Sequence, residues 1–324
     1  MEITNKRTQR KTGRRLPGMS NSRGAVVNRI SKWHLAGAVA AAVLLAGCDV
    51  KDSIYNTSHP DHGTVTLTAD WSGIGEGLTA PASYTVKADD YTATVSGATN
   101  LLDHLFEPGK YTIYAYNTAE HITVSGTTAT VEAAPAPTGQ TGTFVRNTPG
   151  WLFASVTDAV IEADKEHAYT AMMKQQVREL TLIIEPTGET TGRIESITGT
   201  LSGVAASLDI ADGTHGAPSS VELQFEKITG GANAGKYAAT VRLLGTAGAR
   251  QELNARLYFT DDSPAAVTLT SDLTTALAAF NADKRTPLTL GGSVVETPTG
   301  AGFSATITDW TAGNGDGEDI DANM

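Results

Sequence analysis

Thr64-Val65-Thr66-Leu67-Thr68-Ala69-Asp70-Trp71 decides the fold class. Val65, Leu67 and Ala69 alternate with three threonines, so the apolar side chains share a face only if the backbone is extended. Threonine and valine, branched at Cβ, suit a pleated surface with one wet side. The same rhythm returns at Tyr84–Ala88, Tyr91–Val95, Tyr111–Tyr116, His121–Val124 and Ala129–Val131, with turn pairs such as Pro108-Gly109 and Ser125-Gly126 between the runs. Short strands at this spacing predict an antiparallel β-sandwich over residues 64–173.

A second series starts near Val177. Leu180-Thr181-Leu182-Ile183-Ile184 ends in an unbroken apolar run, which predicts a strand covered on both faces. Extended segments follow at Arg193–Ile197, Ser219–Phe225, Tyr237–Leu244, Gln251–Tyr258, Leu288–Leu290 and Ala305–Ile307, giving a second sandwich over 174–310. One helix is expected at 272–284, with Ser271 as its N-cap and Leu273, Leu277 and Phe280 on one face. Ala163 to Lys174 fits helix or strand, and the domain boundary is placed near residue 173. Residues 311–324 read as an acidic, flexible tail. Asn314, Asp316 and Glu318 alternate as calcium ligands do, but the glycine and the bidentate glutamate of an EF-hand loop are missing.

The other end of the chain carries an address. Leu35-Ala36-Gly37-Ala38-Val39-Ala40-Ala41-Ala42-Val43-Leu44-Leu45-Ala46 is an apolar run directly after the basic Lys32-Trp33-His34. A membrane-spanning helix needs about 20 such residues, so the run reads as the core of a signal peptide covering 1–47. It closes on Leu45-Ala46-Gly47-Cys48, the apolar-small-small-cysteine pattern of a bacterial lipobox. Cleavage is expected between Gly47 and Cys48, with lipid on the Cys48 thiol and amine. Several acyl chains at about 0.8 kcal/mol per buried CH₂ make such anchoring durable. Residues 48–63 then form a lipidated tether, and Met19 also fits as the start of the leader. Cys48 is the single cysteine, so no disulfide forms within the chain.

Charge narrows the partners. Residues 1–47 hold nine of the 24 Lys and Arg side chains and one of the 35 acids, leaving fifteen bases against thirty-four acids beyond them. Such a surface repels nucleic acid and anionic head groups. No nucleophile elbow, zinc-protease helix, P-loop or dinucleotide fingerprint occurs, and Asp89-Asp90 and Asp261-Asp262 read as turns. His59 and His62 have metal-ligand spacing but no third partner, so neither metal nor cofactor is expected. Trp71, Trp151, Trp310, Tyr84, Tyr91, Tyr111, Tyr114 and Tyr116 read mainly as core, with a glycan-stacking platform as the alternative; Tyr114 and Tyr116 share one strand face.

Taken in order, several segments resemble Bacteroidales fimbrial anchor and minor-subunit lipoproteins. They are His59-Pro60-Asp61-His62-Gly63 before a strand ending Asp70-Trp71, and Glu107 to Asn117 after a Pro-Gly turn. Thr200-Leu201-Ser202-Gly203-Val204-Ala205 and the closing Ile307-Thr308-Asp309-Trp310 complete the set. The resemblance spans most of 49–310 and implies two tandem transthyretin-like, Greek-key sandwiches. It also implies a non-enzymatic role on the cell surface, held in the outer membrane by lipid on Cys48, and joined to other fimbrial subunits by strand exchange; a host or glycan ligand at the surface is the alternative partner that the lipid anchor and the aromatic side chains raise. The exchanged or edge strand is then expected at Phe303, Ala305 and Ile307. Related stalk subunits are processed at a basic residue. Here Arg146 is the candidate, placed late for removing a first strand, so an uncut chain is expected.

Overall fold

The structure, a computed structural model, describes residues 55–188, 192–260, 266–299 and 302–312. The leader, Gly47, Cys48, Asp261-Asp262 and residues 313–324 lie outside the described residues.

Strand β1 (Gly63–Asp70) puts Val65, Leu67 and Ala69 inside and its threonines outward. It is the middle strand of a three-stranded sheet, parallel to β11 (Lys165–Met172) and antiparallel to β4 (Thr99–Leu101). A five-stranded sheet faces it. That sheet runs from β12 (Lys174–Gln175) through β10 (Phe153–Ile161), β5 (Gly109–Tyr116) and β2 (Ser83–Ala88) to β3 (Tyr91–Ser96). Between the sheets pack Val65, Leu67, Tyr84, Phe106, Ile113 and Phe153, each no more than 2% exposed. Truncating one such side chain to alanine costs about 2–5 kcal/mol, so this layer holds the first half together.

The second core belongs to a larger sheet that bends. Its path runs from β18 (Val267–Asp272) through β17 (Glu252–Phe259), β14 (Ile194–Asp209), β15 (His215–Lys227) and β16 (Tyr237–Leu243). It continues through β13 (Arg178–Glu185) and β19 (Leu288–Thr299) to β20 (Gly302–Ala312). The bend falls on β15, which pairs with β14 for most of its length and hands Glu226 and Lys227 to β16. Leu180, Leu182, Ile183 and Ile184 of β13 are all buried, as an apolar run without alternation requires. The short strands β6 (Ile122–Ser125), β7 (Thr128–Val131), β8 (Ala133–Ala134) and β9 (Phe144–Val145) join this sheet through β14 and β15.

The helix expected at 272–284 does not form, and no α-helix occurs among the described residues. Ser271 and Asp272 still belong to β18, and turns follow to Ala282. One backbone bond spans four residues (Leu277 N to Leu273 O), while Phe280 N to Leu277 O and Ala282 N to Ala279 O span three. The would-be cap explains the difference: the Ser271 hydroxyl donates to the Ile307 carbonyl, and Asp272 Oδ1 takes the Thr274 amide instead. β-Branched Thr274 and Thr275 disfavour a helical first turn. The apolar face survives, because Leu273, Leu277 and Phe280 all enter the second core.

Candidate functional site

The described chain enters the fold through a clasp. Asp164 sits in the β10–β11 turn with φ +56°, a conformation that aspartate tolerates better than most residues. Its carboxylate accepts from Asn56 N at 2.6 Å and Nδ2 at 3.1 Å, and from Thr57 N at 2.7 Å and Oγ1 at 3.0 Å. Its own amide donates to the His62 carbonyl at 2.9 Å. The Asn56 amide is the leading reason the Asp164 carboxyl titrates below the usual range. Gly63 then passes so close to the hairpin that a Cβ would lie 2.5 Å from Ile161 Cγ2 and 2.7 Å from the Glu162 carbonyl. Glycine alone fits there.

At the other end, β20 is the last strand of the large sheet, antiparallel to β19, with Phe303 opposite Pro298, Ala305 opposite Glu296 and Ile307 opposite Val294. Ile307 is buried in the second core. Trp310 lies over Gly292, where a Cβ would come 3.1 Å from the indole and 2.6 Å from Ile307. Trp310 Nε1 donates to Ser271 Oγ at 2.8 Å, and Ser271 Oγ donates to Ile307 O at 2.9 Å. One serine on β18 thus ties together the two ends of the bent sheet.

Arg146 follows β9. Its amide donates to Glu132 O at 3.0 Å, and Nη2 stands 3.1 Å from Glu132 Oε1. Glu132 also holds His121 Nδ1 at 2.7 Å, and that contact, then Arg146, lowers its carboxyl pKa. The backbone around Arg146 is therefore tied down on both sides.

Most of the aromatic side chains are structural. Trp71 meets Tyr84 and Phe153 edge-on at 5.9 Å each, and Tyr84 is buried. Arg242 covers the Trp151 ring at 5.3 Å. Tyr114 and Tyr116 stay half-buried on the outer face of β5, where Tyr114 stands between Val156 and Lys87 of the neighbouring strands. His59 and His62 meet through the backbone, His62 N to His59 O, and among the described residues no three His, Cys, Asp or Glu side chains converge as metal ligands.

A polar junction had no signal in the sequence. Lys284 Nζ donates to Gln176 O, to Leu244 O and to Nε2 of neutral His215 at 2.7 Å. Gln175 bridges Gly75 N and Lys284 O, while Arg178 donates to Thr286 O at 2.7 Å and Phe280 O at 3.0 Å. Burial pushes Lys284 down to about 7, with Arg178 adding to the shift, and pushes His215 down to about 4, with Lys284 adding. These bonds hold the 173–178 connection against the 280–286 turn. Chemically the junction is a staple, since none of its buried side-chain nitrogens and oxygens lacks a partner.

The family profile described as fimbrillin-A associated anchor proteins Mfa1 and Mfa2 matches residues 82–314. No curated protein sequence matches the chain. Among solved structures, a candidate adhesin from Bacteroides ovatus is similar over 76% of this chain and 93% of its own, at 16% identity and TM-score 0.54. The fimbrial anchor protein Mfa2 from Porphyromonas gingivalis is similar over 75% and 95%, at 14% identity and TM-score 0.52. At such identities the likeness is one of fold.

Proposed function

The chain belongs to the fimbrillin-A associated anchor family, and from that premise we propose that it is a lipid-held anchor or accessory subunit of a fimbria, without catalysis of its own. Lipid on Cys48 holds it in the outer membrane at the cell surface, and strand exchange joins it to other fimbrial subunits. The observation that carries this reading is the seating of the first strand. β1 is the middle strand of its sheet, and the residues before it are clasped to Asp164. A protein that hangs from its N-terminus must transmit pull into its core, and a central strand spreads that load over two neighbours. Removing β1 would split the sheet and take Val65 and Leu67 out of the first core, leaving the side chains packed on them uncovered, which favours an uncut chain. Arg146 lies beyond β1 and beyond nine strands, so a cut there would nick the body rather than free a groove.

Affinity purification from native membranes tests the reading. Fimbrial subunits should come with the wild-type chain; recovery of a lone monomer from fimbriated cells would contradict it. A second reading rests on Tyr114, partly buried on the outer face of β5: glycan stacking at the surface. A glycan array whose signal disappears in Tyr114→Ala would support it, and a silent array would remove it.

A further inference from the structure

Four segments remote in sequence frame a cleft of about 430 Å³ beside the polar junction: the turn at Gly73, residues 172–176, the hairpin from Leu208 to His215, and the turn at 281–285. Its walls are fixed. A Cβ on Gly73 would lie 2.7 Å from the Met173 carbonyl, and one on Gly75 would lie 2.7 Å from the Arg285 carbonyl, so glycine alone lets these backbones meet. Gln175 Nε2 donates to the Lys284 carbonyl at 2.6 Å and ties two of the walls together. The volume falls in the range of sites that enclose a small organic molecule.

Two chemistries share the lining. Met173 belongs to the first core and Leu208 to the second, and Met172 adds an open apolar surface, 47% exposed. Lys174 and Arg285 are exposed, and neither forms an ion pair among the described residues. Lys284 adds a third basic side chain. The one acid on the lining, Asp283, already takes the Arg285 amide at 3.0 Å. Beyond residue 47 the chain carries fifteen bases against thirty-four acids, so three bases beside one acid reverse the local sign.

We propose that this cleft binds a small amphipathic anion, a carboxylate on an aliphatic body, with the carboxylate against Lys174 and Arg285 and the body on Met172, Met173 and Leu208. Two unpaired cations in an acidic surface select for an anion. Methionine, flexible and polarizable, moulds itself to an apolar body. An inorganic anion would leave the apolar floor wet, and a neutral oil would leave both cations unpaired. Because the lining draws on both cores, an occupant that needs the native cleft stabilises the two halves together.

Methyl NMR of the full chain carrying methyl-¹³C methionine tests this, since two of its five methionines line the cleft. Octanoate is the probe, with octan-1-ol as its uncharged counterpart and acetate as the anion without a body. Octanoate is expected to move the Met172 and Met173 signals saturably, with a dissociation constant of about 1 mM or below. Octan-1-ol and acetate should each bind at least about tenfold more weakly. Lys174→Glu with Arg285→Glu should weaken octanoate by about tenfold or more, while Lys110→Glu, outside the lining, should leave its curve unchanged. Met172→Glu, at an exposed position, should cause the same loss without touching a cation, and the methionine spectrum of each variant reports whether it is folded. Unmoved Met172 and Met173 signals, octan-1-ol binding as tightly as octanoate, or full octanoate binding by the folded double variant would each overturn the proposal.

Discussion

Trp310 and Ser271 meet at 2.8 Å, indole nitrogen to hydroxyl, and so join β20 to β18 side chain to side chain. That contact makes the last strand part of the fold's own closure rather than a loose end. Trp310→Ala removes the bridge and uncovers Gly292. The expected loss is about 2–4 kcal/mol in urea unfolding, against about 1 kcal/mol for Trp310→Phe, which keeps the ring over Gly292. Equal stability of the alanine variant and the wild type would show that β20 is dispensable to the body.

Asp164 governs how the chain enters the first sandwich. Asp164→Ala should free residues 55–62, seen as faster amide exchange at Asn56 and Thr57 and faster chymotryptic cleavage after the exposed Tyr55. The sign of the pH effect follows from the lowered pKa. Clasp stability is complete above the unfolded aspartate pKa near 3.9 and is lost as pH falls through the lower folded value. A clasp that loosened on raising the pH from 4 to 7 would contradict this assignment.

Lys284 and His215 both favour their neutral forms when folded, so both bind fewer protons in the native state. Stability should therefore rise with pH across two windows: from about 4 to 6.5 for His215, and from about 7 to 10.5 for Lys284. Arg178, facing Lys284, keeps its charge throughout. Thermal unfolding across these windows checks both, and Lys284→Met should flatten the upper one. A wild-type curve that falls between pH 7 and 10 would contradict the assignment.

Arg146 is held by Glu132 through both backbone and side chain. Arg146→Ala is expected to leave the N-terminus and the surface level of the protein unchanged. A longer mature product from the variant would mean that processing does occur at this bond.

Where burial alternates strictly, the strands are legible from sequence. β1, with Val65, Leu67 and Ala69 inward, and β13, with its unbroken apolar end, follow directly from the period of their side chains. Period says nothing about partners, however. Ile122 to Val131 reads as two ordinary strands, yet they join the sheet of β14, because a pleated face carries no mark of the edge it will meet. The turn at 272–284 shows the opposite failure. Leu273, Leu277 and Phe280 have helical spacing and are buried as a helix face would be, but Ser271 spends its hydroxyl on Ile307, 36 residues away. The Asp164 clasp and the Lys284 staple are likewise long-range, each joining groups more than a hundred residues apart that have no local motif.

The central claim is that the chain is held at the surface by lipid on Cys48 and stays uncut behind it. Proteinase shaving of intact cells, paired with mass spectrometry of the purified N-terminus, tests this most directly. The account predicts a shaved protein whose first residue is an acylated Cys48, with β1 retained. A protein protected from the proteinase, or one that begins beyond Asp70, would contradict it.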